Sequence, residues 1–346
     1  MKRLISKCSF VLVVAFLLTG ACSRRIQQVV YPTLGDGRYD SEFPYKSCSK
    51  ELEEITASVR KLYCSINYKT YIFDEKDRIT MSDLNERTLK KAIEIVYFQK
   101  SVAGTGTVIF VDKTRIALLT CAHVVTHPDT LYAYVKDDSL RTKRVLQSCS
   151  IKQDQDNFIV GLPEGGELDV LIADEKMDIA ILKKEFQSMP KLDIPALRYP
   201  FGKAKDLEWG SFVYLIGFPK GYKIITKGIV SHPNRDKHGS FLTDAMFNQG
   251  MSGGILLAIR DGVPNFEVVG ITTSAAAEFT TMLVPDRGWE YDEAVPYEGK
   301  IYVDNKKTIS YGITRAISSE AILELIDQNK EWLLKQGFEI NLLTGK

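Results

Sequence analysis

All four histidines of this 346-residue chain, His123, His127, His232 and His238, precede the serine best placed to act as a nucleophile. That serine, Ser252, lies in Gly250-Met-Ser-Gly-Gly254, where the glycines suit a tight turn whose backbone can come close to a substrate. A serine hydroxyl is a weak nucleophile at neutral pH and needs a base, and the base needs an acid to orient it. The same five residues fit the Gly-x-Ser-x-Gly elbow of α/β-hydrolases, in which the histidine follows the serine. With no histidine after Ser252, that parallel-sheet architecture is excluded, and the base must come from an earlier element.

Two earlier segments supply the missing partners. His123 ends the apolar run Ile116-Ala-Leu-Leu-Thr-Cys-Ala-His-Val-Val125, a strand that delivers a histidine where a short helix could begin. Asp178 stands at the mouth of another buried strand, Asp178-Ile-Ala-Ile-Leu182. The order is therefore His, Asp, Ser. Around these segments, short β-rich runs such as Ile93-Glu-Ile-Val-Tyr-Phe98 and Val108-Ile-Phe-Val111 are separated by Gly, Asp and Lys turns, the pattern of antiparallel barrel strands.

Taken together, Gly104-Thr-Gly106, Thr120-Cys-Ala-His-Val-Val125, Asp178-Ile-Ala-Ile-Leu182, Thr243-Asp-Ala245 and Gly250-Met-Ser-Gly-Gly254 resemble the trypsin-fold serine proteases, their bacterial HtrA (Deg) branch in particular. Leu215-Ile-Gly-Phe-Pro-Lys-Gly221, Thr226-Lys-Gly-Ile-Val-Ser231 and Tyr311-Gly-Ile-Thr-Arg-Ala-Ile-Ser-Ser319 are similar to that family's second barrel and closing strand. The resemblance implies an all-β fold of two six-stranded antiparallel β-barrels with an N-terminal helical extension and a C-terminal helix. Barrel one is expected over 91–195, barrel two over 196–317 and the helix over 318–337.

The resemblance further implies a serine endopeptidase acting on proteins or peptides through an acyl-enzyme, with no cofactor. Ser252 is the nucleophile, His123 the general base, Asp178 its orienting acid, and the N–H groups of Gly250 and Ser252 the oxyanion hole. Met246, six residues before the serine, and Phe247 beside it are expected to line the specificity pocket. Neither pairs with a cation, so small or medium apolar side chains are expected there. Met251 departs from the Asp or Asn usual before the nucleophile, which leaves a zymogen-type lock without its partner residue. A peptide-binding PDZ domain usually follows in this family, and nine residues after Gly337 leave no room for one. The alternative reading is a catalytically idle trypsin-fold binding or scaffolding lipoprotein.

The N-terminus reads as an export signal over 1–21: Lys2 and Arg3 precede the apolar run Phe10 to Leu18. Thr19-Gly-Ala-Cys22 resembles a lipobox that would make Cys22 a lipidated first residue at the bacterial cell envelope, although Thr19 stands where leucine is usual. Residues 22–90 read as a polar tether followed by a helical extension. Leu52, Ile55, Val59 and Leu62 sit at helical spacing with Ser49 as N-cap, and Asp83-x-x-Glu86 reads as a capping box. The segment from Asp137 to Gly166 reads as a surface elaboration of barrel one, and 278–307 as a substrate-facing loop or an inert insertion.

A net charge of +1 leaves no electrostatic footprint for nucleic acid. His123-x-x-x-His127 has zinc-ligand spacing, but Val124 stands where a glutamate is needed, so no metal is expected. His232 and His238 read as solvated loop residues. The body's four cysteines, Cys48, Cys64, Cys121 and Cys149, are compatible with either disulfides or buried thiols.

Overall fold

A computed structural model of the chain describes residues 34–135, 144–162, 166–187, 194–285, 294–299, 301–340 and 342. The expected signal, Cys22 and most of the tether lie outside these residues. Among the described residues there are thirteen strands, and twelve of them build two closed antiparallel barrels. In barrel one, β1 (Val59–Ile72), β2 (Glu94–Val111), β3 (Arg115–Thr120), β5 (Leu146–Ile159), β6 (Glu167–Asp174) and β7 (Ile179–Glu185) run in the order β1-β2-β3-β7-β6-β5. Pairing of β5 with β1 closes the ring, and β4 (Thr130–Tyr134) hangs from β5. Barrel two contains β8 (Phe212–Gly217), β9 (Ile224–His232), β10 (Phe241–Thr243), β11 (Ile255–Ile259), β12 (Phe266–Pro285) and β13 (Ile301–Ser318), closed in the order β10-β13-β12-β11-β8-β9.

Where each barrel closes, it removes the sheet edges that a two-layer β protein must otherwise protect. Each barrel is filled from inside by alternate apolar side chains. Leu118, Ile181 and Leu62 are buried in the first, and Leu215, Leu256 and Val269 in the second. One apolar cluster runs from Leu118 and Ile181 through Ile216, Ile255 and Ile271 to Ile322, so the barrels share a core at their contact. The site is built along this seam.

The start of barrel one differs from the expected boundary near residue 91. Its first strand is β1, well inside the segment read as an extension. The helix α1 spans Ser49–Ser58, with Cys48 rather than Ser49 as N-cap, and stops where β1 begins. Ile55, Val59 and Leu62 are all buried, and their spacing fits one helical face. From Leu62 onward, however, Leu62, Cys64, Ile66 and Tyr68 are buried at every second position, which is strand periodicity. The two periods overlap at Val59 and Leu62, so the helical reading ran on into a strand.

β5 requires a second correction. The expected elaboration between Asp137 and Gly166 contains this 14-residue strand, which closes the barrel against β1 from Leu62↔Ile159 to Ile72↔Ser148. Its middle, Gln153-Asp-Gln-Asp156, is polar because that stretch is largely solvent-facing, and the composition hid the strand. Nearby, the capping box joins Thr80 and Asp83, and Asn85 caps the short helix α2 (Glu86–Leu89).

The chain from residue 36 to 40, expected as tether, is docked on barrel two. Asp40 donates its N–H to the Ile259 carbonyl at 2.9 Å, and its own carbonyl accepts from Phe212 N–H at 2.8 Å. The Tyr39 hydroxyl donates to Glu267 at 2.6 Å beneath the Arg260 guanidinium, 4.0 Å from the ring. Of the stretch 278–307, residues 278–285 and 301–307 extend the β12–β13 pairing as a two-stranded ribbon out to Pro285↔Ile301, and its middle lies partly outside the described residues. Ser318 caps α4 (Ser319–Gln328), and α5 (Lys330–Lys335) follows after Asn329. The described cysteines Cys48, Cys64, Cys121 and Cys149 are all free and buried.

Candidate active site

β3 ends at Thr120, and the single helical turn α3 (Ala122–Val125) lifts His123 out of barrel one while Ala122, Val124 and Val125 stay buried. Asp178 sits one residue before β7 in the left-handed region, at φ 57°, where aspartate is tolerated better than most side chains. The two meet at short range. His123 Nδ1 lies 2.9 and 2.8 Å from the two carboxylate oxygens of Asp178, and the His123 N–H donates to Oδ1 at 3.0 Å.

A third donor was not legible in the sequence: the Thr273 hydroxyl on β12 donates to Asp178 Oδ2 from across the seam. Burial alone would raise the Asp178 pKa. The hydrogen bonds from His123 and Thr273 outweigh it and hold the carboxyl below its usual range. An ionised Asp178 favours the tautomer with the proton on Nδ1, which leaves Nε2 free to accept a hydrogen bond.

Ser252 sits in the turn between β10 and β11, pressed between β12 and the 3-10 turn Pro219–Gly221. Gly253 N–H donates to the Thr272 carbonyl at 2.8 Å on one side, and Lys220 N–H donates to the Gln249 carbonyl at 2.9 Å on the other. Two glycines are required by geometry. Gly250 has φ 100°, and a Cβ there would collide with the Phe218 carbonyl oxygen. Gly253 has φ 82°, and its Cβ would collide with the Thr105 carbonyl oxygen.

Thr105 of barrel one reaches into this turn. Its N–H donates to the Ser252 carbonyl at 2.8 Å, its hydroxyl donates to the Gly250 carbonyl at 2.8 Å, and the hydroxyl accepts from Phe218 N–H at 3.0 Å. Within the turn, the N–H groups of Met251, Gly253 and Gly254 are all donated to backbone carbonyls. Among the described residues, those of Gly250 and Ser252, the expected oxyanion-hole pair, have no protein acceptor. The Ser252 hydroxyl donates to the Thr273 carbonyl at 3.1 Å.

The remaining candidates separate. Met246 is 57% exposed at the surface, whereas Phe247 is 8% exposed and packs in the barrel-two core with Ala245 and Met251. Asp244 accepts the Ile229 N–H at 2.6 Å, a structural task. His127 is not part of the His123–Asp178 group; burial and the nearby Lys100 push its imidazole pKa down. His238, expected in solvent, pairs with Glu324 at 2.9 Å.

One grouping of possible metal ligands occurs among the described residues, Cys121 with His123 and Asp178. Burial drives the Cys121 thiol pKa well up, its S–H donates to the Thr272 carbonyl at 3.2 Å, and both Asp178 oxygens are already engaged. This chemistry fits a core thiol beside a histidine–carboxylate pair and does not fit a metal centre.

Two barrels with a histidine, an aspartate and a glycine-bound serine gathered at their seam define the trypsin-fold class, and residues 104–271 match the trypsin-like peptidase domain. The chain is similar to serine proteases of the HtrA type. It is 34% identical over 137 residues to the "Probable periplasmic serine endoprotease DegP-like" of Ectopseudomonas mendocina (strain ymp), covering 37% of this chain and 26% of that protein. The same-named protein of Hahella chejuensis (strain KCTC 2396) is 33% identical over 176 residues, covering 49% and 29%. The "Putative serine protease HhoA" of Synechocystis sp. (strain ATCC 27184 / PCC 6803 / Kazusa) is 26% identical over 227 residues, covering 62% and 48%. The chain thus spans less than half the length of each of these relatives.

Proposed function

We propose that this chain is a serine endopeptidase in which Ser252 attacks the scissile carbonyl of a protein or peptide. His123 Nε2 takes the hydroxyl proton and returns it to the leaving amine, while Asp178 stabilises the imidazolium between the two steps. Before attack, the Ser252 hydroxyl turns from the Thr273 carbonyl toward Nε2. The tetrahedral oxyanion is received by the Gly250 and Ser252 N–H groups. The observation that carries this reading is the pairing of an engaged His123–Asp178 couple with two unengaged N–H groups flanking Ser252.

The acyl-side pocket takes small or medium apolar residues: Phe247 is taken up in the barrel-two core, and Met246, the exposed residue six before the serine, offers no charge to a lysine or arginine, whose unpaired burial costs several kcal/mol. The periplasmic names of two relatives support export to the cell envelope, and the lipobox-like Thr19-Gly-Ala-Cys22 is what points to lipidation of Cys22. Mass spectrometry of the mature N-terminus tests that part: a diacylated or triacylated Cys22 is expected, and an unmodified Ser23 or a retained Met1 contradicts it.

Cleavage of a denatured protein, with the cut sites mapped, tests the function. Cuts after Val, Ala, Ile or Leu are expected, and Ser252→Ala should lower the rate by about 10⁴ to 10⁶-fold without changing the fold. A variant that keeps most of its activity would show that another group performs the chemistry. Cuts dominated by Lys or Arg would refute the pocket assignment alone.

A further inference from the structure

The lower half of β2 is an open sheet edge. β1 covers one side of this strand from Ile72↔Glu94 to Val59↔Thr107 without a break in register, whereas β3 covers the other side only over 107–111. Residues 93–101 are all exposed, and they include Ile95, Tyr97 at 68% and Phe98. An uncovered strand of this composition is a template for another strand, and most proteins blunt such edges.

The direction in which each backbone group points can be read from its neighbours. Thr105 N–H leaves the β1 side to reach Ser252, and the Thr105 carbonyl accepts from Thr120 on that same outer side. Lys61 on β1 and Phe73, the residue after its end, use their backbone groups toward the β5 side. With the register unbroken, Ile95, Tyr97 and Gln99 therefore turn their N–H and C=O groups outward, and no acceptor or donor meets them among the described residues.

We propose that this edge pairs with the same edge of a second copy, antiparallel about a two-fold axis through Tyr97. That register matches outward group to outward group: Tyr97 faces Tyr97, and Ile95 faces Gln99, giving about six backbone hydrogen bonds. It also places Glu94 opposite Lys100 twice, and shifting the axis to any neighbouring residue loses both oppositions. Neither Glu94 nor Lys100 is in an ion pair among the described residues. A two-fold contact of this kind closes on itself, so the edge is consumed in a dimer instead of propagating into a fibre.

Cysteine cross-linking of the full chain in mild detergent tests the register. Tyr97→Cys places two thiols about 5.5 Å apart between Cα atoms, within disulfide reach. Ile95→Cys separates them by about 13 Å along the strand. The proposal expects a disulfide-linked dimer from Tyr97→Cys, and none beyond the unsubstituted chain's background from Ile95→Cys.

Adding Lys100→Glu to Tyr97→Cys should reduce the cross-linked yield about tenfold, and a further Glu94→Lys should restore it. Tyr97→Pro removes an outward N–H while sparing the β1 ladder, and should leave a folded monomer in sedimentation. Absence of the cross-link in Tyr97→Cys, equal linking in both cysteine variants, or a chain that stays monomeric and cross-links instead to an added extended peptide would overturn the proposal. Each readout is independent of turnover, so failure of the pairing and failure of the protease assignment are distinguishable.

Discussion

Asp178 is held ionised in a half-buried position by donors from both barrels, and one hydroxyl on β12 is the part of that arrangement most open to test. Thr273→Val keeps the volume and removes the donor. A hydrogen bond to a charged group contributes about 1.5–3 kcal/mol, so loss of this one should slow turnover about ten- to a hundredfold with the barrels intact. The pH dependence has a defined sign. A carboxyl held below its usual pKa lends stability above its unfolded-state pKa and loses it as pH falls through the depressed folded value. In Thr273→Val that depression shrinks, so the stability lost on acidification below about pH 4, followed by thermal unfolding, should be smaller than in the parent. An unchanged acid limb would mean that Thr273 does not act on the carboxyl.

At the scale of elements, the nucleophile turn belongs to barrel two but is anchored by Thr105 of barrel one. Thr105→Val strands the Gly250 carbonyl and the Phe218 N–H, each at about 1–3 kcal/mol if left unsatisfied. Catalysis should fall further than melting temperature suggests, because both groups border the proposed oxyanion hole. Gly253→Ala should be worse, since a left-handed φ and a clash with the Thr105 carbonyl cannot both be relieved; loss of fluorophosphonate reactivity together with a lowered melting temperature is expected. His123, Asp178 and Ser252 were legible because each sits in a distinctive local pattern and because chain order admits one combination. Thr105 and Thr273 were not, because a threonine beside glycines or other small residues looks the same whether or not its hydroxyl crosses a seam. β1 and β5 escaped for another reason. One shares its apolar spacing with the end of a helix, and the other has a polar middle exposed to solvent.

Across the whole molecule, residues 36–40 tie the N-terminal segment to barrel two through the buried carboxyl of Asp40. Burial raises the Asp40 pKa to about 6, only partly opposed by the Gly262 N–H. A raised carboxyl favours the folded state at low pH, and that contribution is lost as pH rises through about 6. Asp40→Asn keeps the acceptor for Gly262 and removes the charge, so it should raise the melting temperature at pH 7 to 8 and flatten its decline between about pH 4 and 6. The larger claim is that two barrels meet to make one activated serine. Fluorophosphonate labelling of the full chain, with the adduct mapped by mass spectrometry, tests it most directly. A single adduct on Ser252 is expected, forming at neutral pH and slowed by roughly a thousandfold or more in His123→Ala. An unlabelled Ser252 in the folded chain, or labelling that does not depend on His123, would contradict it.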